Sequence, residues 1–383
     1  MKIMIFVCGE GLGHTSRCIS LAQQMKTAGH EVLMGAYGYS KDLIKKKGLK
    51  TAEIIPEIQL VGDSGSLDLK SSVIATIKSG QFMGIGKIHR TLKEFKPDLV
   101  ISDSYYTGIF FAWLRKKPVY LMVNQSNMEE FFMGKGILMG CLGNVTKRFY
   151  TRVFRKVDGI IIPDFPMPNT ICKYNLDFEE RVLNSVFYSG PLVGKKYKEV
   201  REAELTRPHV LSTIGGFGYR EPLFHKVIET ARLDRNINYT LLSGPSIKPD
   251  KYTDLPENVT IMEFIDEQFP YLKASDIVIA PGGHSMMMEA LSFGVPILSF
   301  PDMGHIEQEN NATSLEEEGC GKRLEYSISP EKLLEHIHQL IEDDAYKDKT
   351  QYLRSLSHAL NGPETITEML GSKHMNQNSQ KNI

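Results

Sequence analysis

The chain has 383 residues, 42% of them hydrophobic and 24% charged, which is enough for two globular domains with separate cores and too apolar for a disordered protein. Its net charge of −1 hides an asymmetry: residues 1–170 carry 23 Lys and Arg against 14 Asp and Glu, and the remainder carries 22 against 32. A basic first half suits an anionic partner such as a lipid surface, a nucleic acid or a phosphorylated substrate, and the two halves are expected to meet different partners.

From the start of the chain, Lys2 to Val7 reads as a short buried strand, Gly9 to Gly13 as a turn, and residues 16–28 as a helix closed by Gly29. No apolar run reaches eighteen residues, and the apolar start has neither a basic flank nor a cleavage site. A spanning helix and a secretory signal are therefore not expected. A second strand begins at Glu31, a third ends at Asp103 after Leu99-Val100-Ile101-Ser102, and a fourth covers residues 118–123. After the Pro-rich stretch 163–168 and the turn Ser189-Gly190-Pro191 the alternation restarts, with strands at 209–214, 238–243, 259–262, 277–280 and 296–300. The repeated β-α-β pattern implies two tandem, doubly wound α/β domains facing across a cleft. The expected divisions are a first domain over 1–170, a linker over 171–200, a second domain over 201–372 whose last helices can return to the first, and a disordered polar tail over 373–383. Five scattered cysteines without a C-x-x-C pair suit a reducing cytoplasm rather than a disulfide framework or zinc cluster.

Ligands of such sheets bind beyond the carboxyl ends of the strands, so the chemistry is sought in the strand-to-helix loops. The first loop, Gly9-Glu10-Gly11-Leu12-Gly13-His14, has His14 where a dinucleotide fingerprint needs glycine, and the second strand ends without an acid for a ribose. Its glycines, Gly13 in particular, still let backbone N–H groups approach a ligand, and His14 projects from it; the bland alternative is a helix-capping histidine. Asp103, at a neighbouring strand end, can fix the imidazole tautomer, making His14 a general base. Glu10 is the other candidate base. In the second half a strand ends in Pro281-Gly282-Gly283-His284-Ser285, where a helix start offers unpaired N–H groups to an anion. Glu289 lies one turn further on the same face, placed to accept from ribose hydroxyls. The loop after residue 300 adds Glu307 and Gln308, suited to sugar hydroxyls. Residues 190–196 fall one residue short of a phosphate-binding G-x-x-x-x-G-K, and no D-x-D pair occurs at a strand end, so neither nucleotide hydrolysis nor a metal is indicated.

Taken together, the first loop ending in His14, the Gly215-Gly216-Phe217-Gly218 loop, the block from Gly282 to Pro296 and the following Glu307-Gln308 and Asn311-Ala312 resemble the GT-B glycosyltransferases. Within them the likeness is to the MurG-type and UDP-glycosyltransferase branches. The resemblance implies a UDP-sugar donor, no metal or other cofactor, and inverting transfer of N-acetylglucosamine or a similar hexose. It implies a uracil held near Phe264 and Ile265, a diphosphate over Gly283, His284, Ser285 and Met286, a ribose on Glu289, and a donor sugar on Glu307 and Gln308. Gly215, Gly216 and Gly218 would approach the donor from the other side, and His14 with Asp103 would match the His-Asp pair of the UDP-glycosyltransferases. Pro281 and Met286 depart from the usual basic and hydroxyl residues. On the acceptor side, Gln125, Phe131, Phe132, Lys135, Arg148 and Arg152 belong to a stretch rich in apolar and basic residues, the composition of a segment resting on an anionic membrane. The expectation is a cytoplasmic monomer or homodimer at the inner face of a membrane, acting on a lipid-linked acceptor and not on nucleic acid. A buried helix with a solvated basic face is the bland reading of that stretch. A sugar-nucleotide epimerase or hydrolase, and a non-catalytic binding protein, are the alternatives.

Overall fold

The structure is a computed structural model; it describes all residues except 10–11, 58–61, 64–65, 68–84, 133–135, 217, 245–246, 264, 266 and 382–383. In chain order the first half holds β1 (Lys2–Val7), α1 (Leu12–Thr27), β2 (Glu31–Ala36), α2 (Gly38–Lys46), β3 (Thr51–Glu53), the short pair β4 (Gly62–Asp63) and β5 (Ser66–Leu67), and α3 (Ile85–Phe95). It continues through β6 (Leu99–Asp103), α4 (Tyr106–Leu114), β7 (Val119–Met122), α5 (Ile137–Lys156), β8 (Gly159–Ile162), α6 (Glu180–Leu183) and β9 (Val186–Tyr188). The second half holds β10 (His209–Thr213), α7 (Glu221–Leu233), β11 (Asn238–Leu242), β12 (Val259–Met262), α8 (Phe269–Ala274), β13 (Ile277–Ala280) and α9 (His284–Phe293). It ends with β14 (Ile297–Ser299), α10 (Ile306–Glu317), β15 (Gly321–Arg323), α11 (Pro330–Glu342), α12 (Asp344–Leu360) and α13 (Gly362–Lys381).

Seven strands form one sheet in the order β3-β2-β1-β6-β7-β8-β9, and six form another in the order β12-β11-β10-β13-β14-β15. All pairs within both sheets are parallel. Parallel strands covered by helices on both faces must be apolar throughout, and β13 (Ile-Val-Ile-Ala) and β8 (Gly-Ile-Ile-Ile) are buried at every position. In each sheet the strand order reverses next to the first strand of that half, between β1 and β6 and between β10 and β13. The crevice at such a reversal is where α/β proteins bind ligands.

Three boundaries differ from those the sequence suggests. β9 pairs with β8, so the first sheet takes up residues expected as linker, and the span between sheets is 189–208. The tail expected to be disordered continues α13 as far as Lys381, since extending a helix already docked adds a hydrogen bond for each residue fixed. α1 starts at Leu12 rather than Ser16, which puts His14 in its first turn.

The main chain passes between the halves twice. It leaves the first sheet at Gly190, with φ +84, and returns at Asn361, with φ 44, into α13. α13 packs on α1, and its Ile366 and Leu370 are buried in the core that contains Ile3, Leu21 and Met34. The two passages touch: a Cβ on Gly190 would lie 2.7 Å from that of Leu360, and one on Gly362 would lie 2.5 Å from the Pro191 carbonyl oxygen.

Candidate active site in the interdomain cleft

Because β1 and β6 are neighbours, Val7 is in register with Asp103, and the loop after Val7 delivers His14 above the Asp103 carboxylate. The His14 Nδ1 lies 2.9 Å from Asp103 Oδ1. Asp103 is fully buried and His14 about one-quarter exposed, so the ring has a dry side toward Asp103 and a wet side toward the cleft. Arg17, one turn further along α1, donates from Nε to Asp103 Oδ2 at 2.7 Å and from Nη2 to Oδ1. Burial by itself would raise the Asp103 carboxyl, but Arg17 and His14 outweigh it and hold the group well below the usual carboxylate range. Arg17 Nη1 also donates to Asn124 Oδ1 at 3.1 Å, and Asn124 Nδ2 donates across the cleft to Glu307 Oε1 at 2.8 Å.

The facing side is built from the reversal in the second sheet. Gly215 and Gly216 follow β10, and Gly283, Ser285 and Met286 stand at the start of α9; with Gly13, His14, Ile265, Glu289, Glu307 and Gln308 they line a cleft of about 1260 Å³. Gly283 at the helix start makes no side-chain cap, so the first-turn N–H groups of α9 are left for a ligand. Two close approaches make glycine necessary here. A Cβ on Gly282 would lie 2.6 Å from the Gln308 carbonyl oxygen, and one on Gly13 would lie 2.7 Å from Ser285 Oγ. Gly13→Val is accordingly expected to force the two helix starts apart at about 1–3 kcal/mol, read by calorimetry as a lowered melting temperature.

Not every side chain expected at the donor is free to serve it. Glu289 is buried, accepting from Ser16 Oγ of the first domain at 3.1 Å and from Gln268 Nε2. Burial pushes its carboxyl up to about 7, against the lowering effect of those two hydrogen bonds. Glu307 Oε1 accepts from Asn311 as well as Asn124. The amide of Gln308 is held at both ends by Asp302, accepting from its N–H and donating to Oδ2, each at 3.0 Å. Asp302 in turn pairs with the buried Arg220. His284, which also lines the cleft, has its Nε2 3.1 Å from Asp164 Oδ2, and its Nδ1 is buried with no partner among the described residues. Asp164, Cys172 and His284 bring possible metal-ligand atoms within 4.8 Å of one another. Asp164 Oδ2, however, already accepts from Thr170, from the N–H groups of Ile171 and Cys172 and from His284, so the trio acts as a tie between the domains.

Gly218 lies in a short 3-10 turn behind the cleft wall. On the acceptor side, Gln125, Phe131 and Phe132 line the cleft next to Met128, Phe149 and Tyr150. The Gln125 Nε2 is buried with no partner among the described residues. Arg148 and Arg152 are exposed on α5, away from the cleft. Phe264, Lys135 and Glu10 lie outside the described residues. Sequence reasoning missed Arg17, Ser16 and Asn124. Arg17 left a signal: a cation directly before the run Cys18-Ile19-Ser20-Leu21-Ala22 sits on a buried helix face and requires a buried anion.

A model described as Glycosyl transferase family 1 matches residues 1–213, and one described as Glycosyltransferase family 28 C-terminal domain matches residues 223–368. An uncharacterized glycosyltransferase of Methanosarcina acetivorans is 57% identical over 97% of this chain and 98% of its own length. The chain belongs to the glycosyltransferases. A second relative of this glycosyltransferase, in Clostridium tetani, is named as the UDP-N-acetylglucosamine N-acetylmuramyl-(pentapeptide) pyrophosphoryl-undecaprenol N-acetylglucosamine transferase; it is 26% identical over 97% of this chain and 98% of its own. Among solved structures, the glycotransferase of kitacinnamycin superposes with a TM-score of 0.73 at 17% identity, covering 97% of this chain and 98% of that one. The glycosyltransferase thus shares the GT-B arrangement of two Rossmann-like domains.

Proposed function

We propose that this glycosyltransferase moves a hexose, N-acetylglucosamine or a close relative, from a UDP-sugar to a hydroxyl of a lipid-linked acceptor, with inversion and without a metal. The observation that carries the reading is that His14, paired with Asp103, and the uncapped start of α9 line one cleft. The acceptor oxygen attacks the anomeric carbon while the bond from that carbon to the diphosphate oxygen breaks. His14 Nε2 takes the hydroxyl proton as the new bond forms, and Asp103 stabilises the imidazolium that results. UDP leaves with the electron pair, and its growing charge meets the N–H groups and positive dipole end of α9; a preorganised donor of this kind is worth roughly 3–4 kcal/mol in comparable sites. The name of the Clostridium relative supports UDP-N-acetylglucosamine as donor and an undecaprenyl carrier as the type of acceptor.

A membrane-side acceptor also fits the α5 side of the first domain at the rim of the cleft, where Val145 and Phe149 face both the cleft and the surface. Leu142, Val145 and Phe149 are exposed at i, i+3 and i+7 of α5, Ile137 begins the same helix almost wholly exposed, and Phe110 and Leu114 are exposed on neighbouring α4. Lys147, Arg148 and Arg152 flank them. Apolar side chains beside basic ones suit the headgroup boundary of an anionic leaflet, so the protein would act at the inner face of a membrane from the cytoplasm. No helix among the described residues is long and apolar enough to cross a membrane.

The test is UDP release from a panel of UDP-sugars, with and without a membrane lipid extract. Release that requires the extract supports transfer to lipid; release without any acceptor supports hydrolysis or epimerisation, and none with any UDP-sugar overturns the donor. In parallel, Val145→Glu with Phe149→Glu is expected to lower sedimentation with phosphatidylglycerol vesicles about tenfold or more, since two buried apolar side chains are worth roughly 1.5–3 kcal/mol each. Unchanged sedimentation would remove α5 from the membrane.

A further inference from the structure

Helix α4 starts at the cleft wall without a cap of its own. Tyr105 precedes its first turn and makes no side-chain hydrogen bond to it. The cap comes instead from the segment that follows β3: Glu57 Oε2 accepts from the Tyr106 N–H at 2.9 Å, and Oε1 accepts from the Thr107 N–H. That segment is itself tied down, since the buried Tyr105 donates from its hydroxyl to the Ile55 carbonyl oxygen at 2.7 Å. Burial raises the Glu57 carboxyl above its ordinary value, and the two N–H groups oppose the rise. Glu57 and Tyr106 line the same cleft as His14.

The rest of this wall is aromatic and uncharged. The Tyr106 ring stands edge-on to Tyr150 and Phe149, with centroids 4.8 and 6.0 Å away, and Met128, Phe132 and Val145 complete this side of the lining. Among the described residues that α4, α5 and the segment 128–132 contribute to the lining, none is basic. The two arginines of the cleft, Arg17 and Arg220, are committed to Asp103 and Asp302, while Lys47 follows α2 and Lys195 lies in the span between sheets. The basic residues of α5 stay at the surface, where Lys147 pairs with Glu129 and Asp177 and where Arg148 and Arg152 are exposed.

A phosphate entering this part of the cleft needs donors, and a helix start is the usual source. Here the first two N–H groups of α4 are already satisfied by a carboxyl group, so a phosphate would have to displace Glu57 and leave its buried oxygens without partners. An apolar body that carries a hydroxyl requires no such displacement, and its burial against the aromatic wall is favourable. We propose that Glu57 is a specificity-determining residue of the acceptor subsite: by occupying the start of α4 it withholds the donors a phosphate needs, so that the aromatic wall selects a hydroxyl on an uncharged lipid. This rests on the reading of the protein as a lipid-directed transferase and narrows it, setting aside a diphosphate-linked acceptor of the kind named for the Clostridium relative. The basic surface of α5 would then meet the leaflet while the cleft takes a neutral lipid from it.

The test uses two lipids below their micellar concentrations, dodecyl N-acetylglucosaminide and the dodecyl ester of N-acetylglucosamine diphosphate, which share hydroxyls and tail and differ by the diphosphate. Affinity is measured by calorimetry and kcat/KM by UDP release. The unmodified protein is expected to favour the uncharged lipid by about tenfold or more in both. Equal or better binding or use of the diphosphate lipid, or binding of neither, would overturn the proposal. Glu57→Ala, which frees the two N–H groups, is expected to bring the ratio to within about threefold by strengthening the diphosphate lipid. An equal change toward both lipids would leave Glu57 a helix cap and overturn its part in selection. Should that variant not fold, Glu57→Gln, which loses one of the two acceptors, is expected to shift the ratio less in the same direction. If the uncharged lipid binds as expected and no UDP-sugar is turned over, the transfer reading fails while the binding ratio still decides the role of Glu57.

Discussion

His14→Ala is expected to lower kcat for UDP release by about 10²- to 10⁴-fold, the usual contribution of a positioned base, while the dissociation constant for UDP changes less than twofold. The separation follows from geometry. The imidazole touches Asp103 and Arg17 behind it, whereas the diphosphate is proposed to rest on the first-turn N–H groups of α9. Little packing is lost, because the ring is partly exposed, so melting temperature is expected to stay within a few degrees of the unmodified protein. Initial rates and calorimetry on the same preparation check both halves of the expectation. A variant that retains more than half the rate would move the proton transfer to another group, Glu10 being the nearest carboxylate in sequence.

Glu289→Gln is expected to stabilise the protein and weaken its grip on the donor together. Burial raises the Glu289 carboxyl to about 7 in the folded chain, above the unfolded value near 4.5. The folded state therefore holds this proton more tightly, and stability from this group falls as pH rises from about 4.5 through 7. By pH 8 the accumulated penalty is up to about 3 kcal/mol, which the neutral amide removes; the gain in melting temperature is expected at pH 8 and absent at pH 4. In the proposed complex ribose hydroxyls would donate to the ionised form, so UDP binding is expected to release up to about half a proton at pH 7. Below pH 7 the affinity then falls by as much as tenfold for each pH unit. Calorimetry in buffers of different ionisation enthalpy measures the released proton, and Glu289→Gln should abolish it. No proton release by the unmodified protein would mean that ribose does not meet this carboxylate.

The strands that carry the site were the most legible part of the chain. β1, β6 and β13 are largely apolar runs that stop abruptly at glycine or polar turns, as expected of parallel strands buried on both faces. His14 and Asp103 could be paired because both follow carboxyl ends of such strands. β3, β9 and β15 could not be read: Thr51-Ala52-Glu53, Val186-Phe187-Tyr188 and Gly321-Lys322-Arg323 carry no period of their own and are strands only because a neighbour offers hydrogen bonds. The direction of His284 and the engagement of Gln308 were illegible for another reason. Their partners, Asp164 and Asp302, are chosen by three-dimensional packing, and for His284 that partner is 120 residues away in the other half. The Arg17 fork lies between these cases, since its burial is readable from the helix and its anion is not.

The double passage of the main chain gives the cleft a mechanical character. A single linker would let the second domain swivel and tilt, but two strands crossing side by side, with Gly190 against Leu360 and Gly362 against Pro191, act as the pin of a hinge. Rotation about that pin is the motion such a joint would leave freest, with Gly362 held against the Pro191 carbonyl and Gly190 against the Leu360 side chain. Ser16–Glu289 and Asn124–Glu307 then tie the two walls across the cleft, while Asp164–His284 sits beside the pin, where the Gly190 N–H donates to the Asp164 carbonyl. In the proposed complex the hydroxyls of the donor would replace the first two, so the ligand that fits would also be the ligand that works the latch.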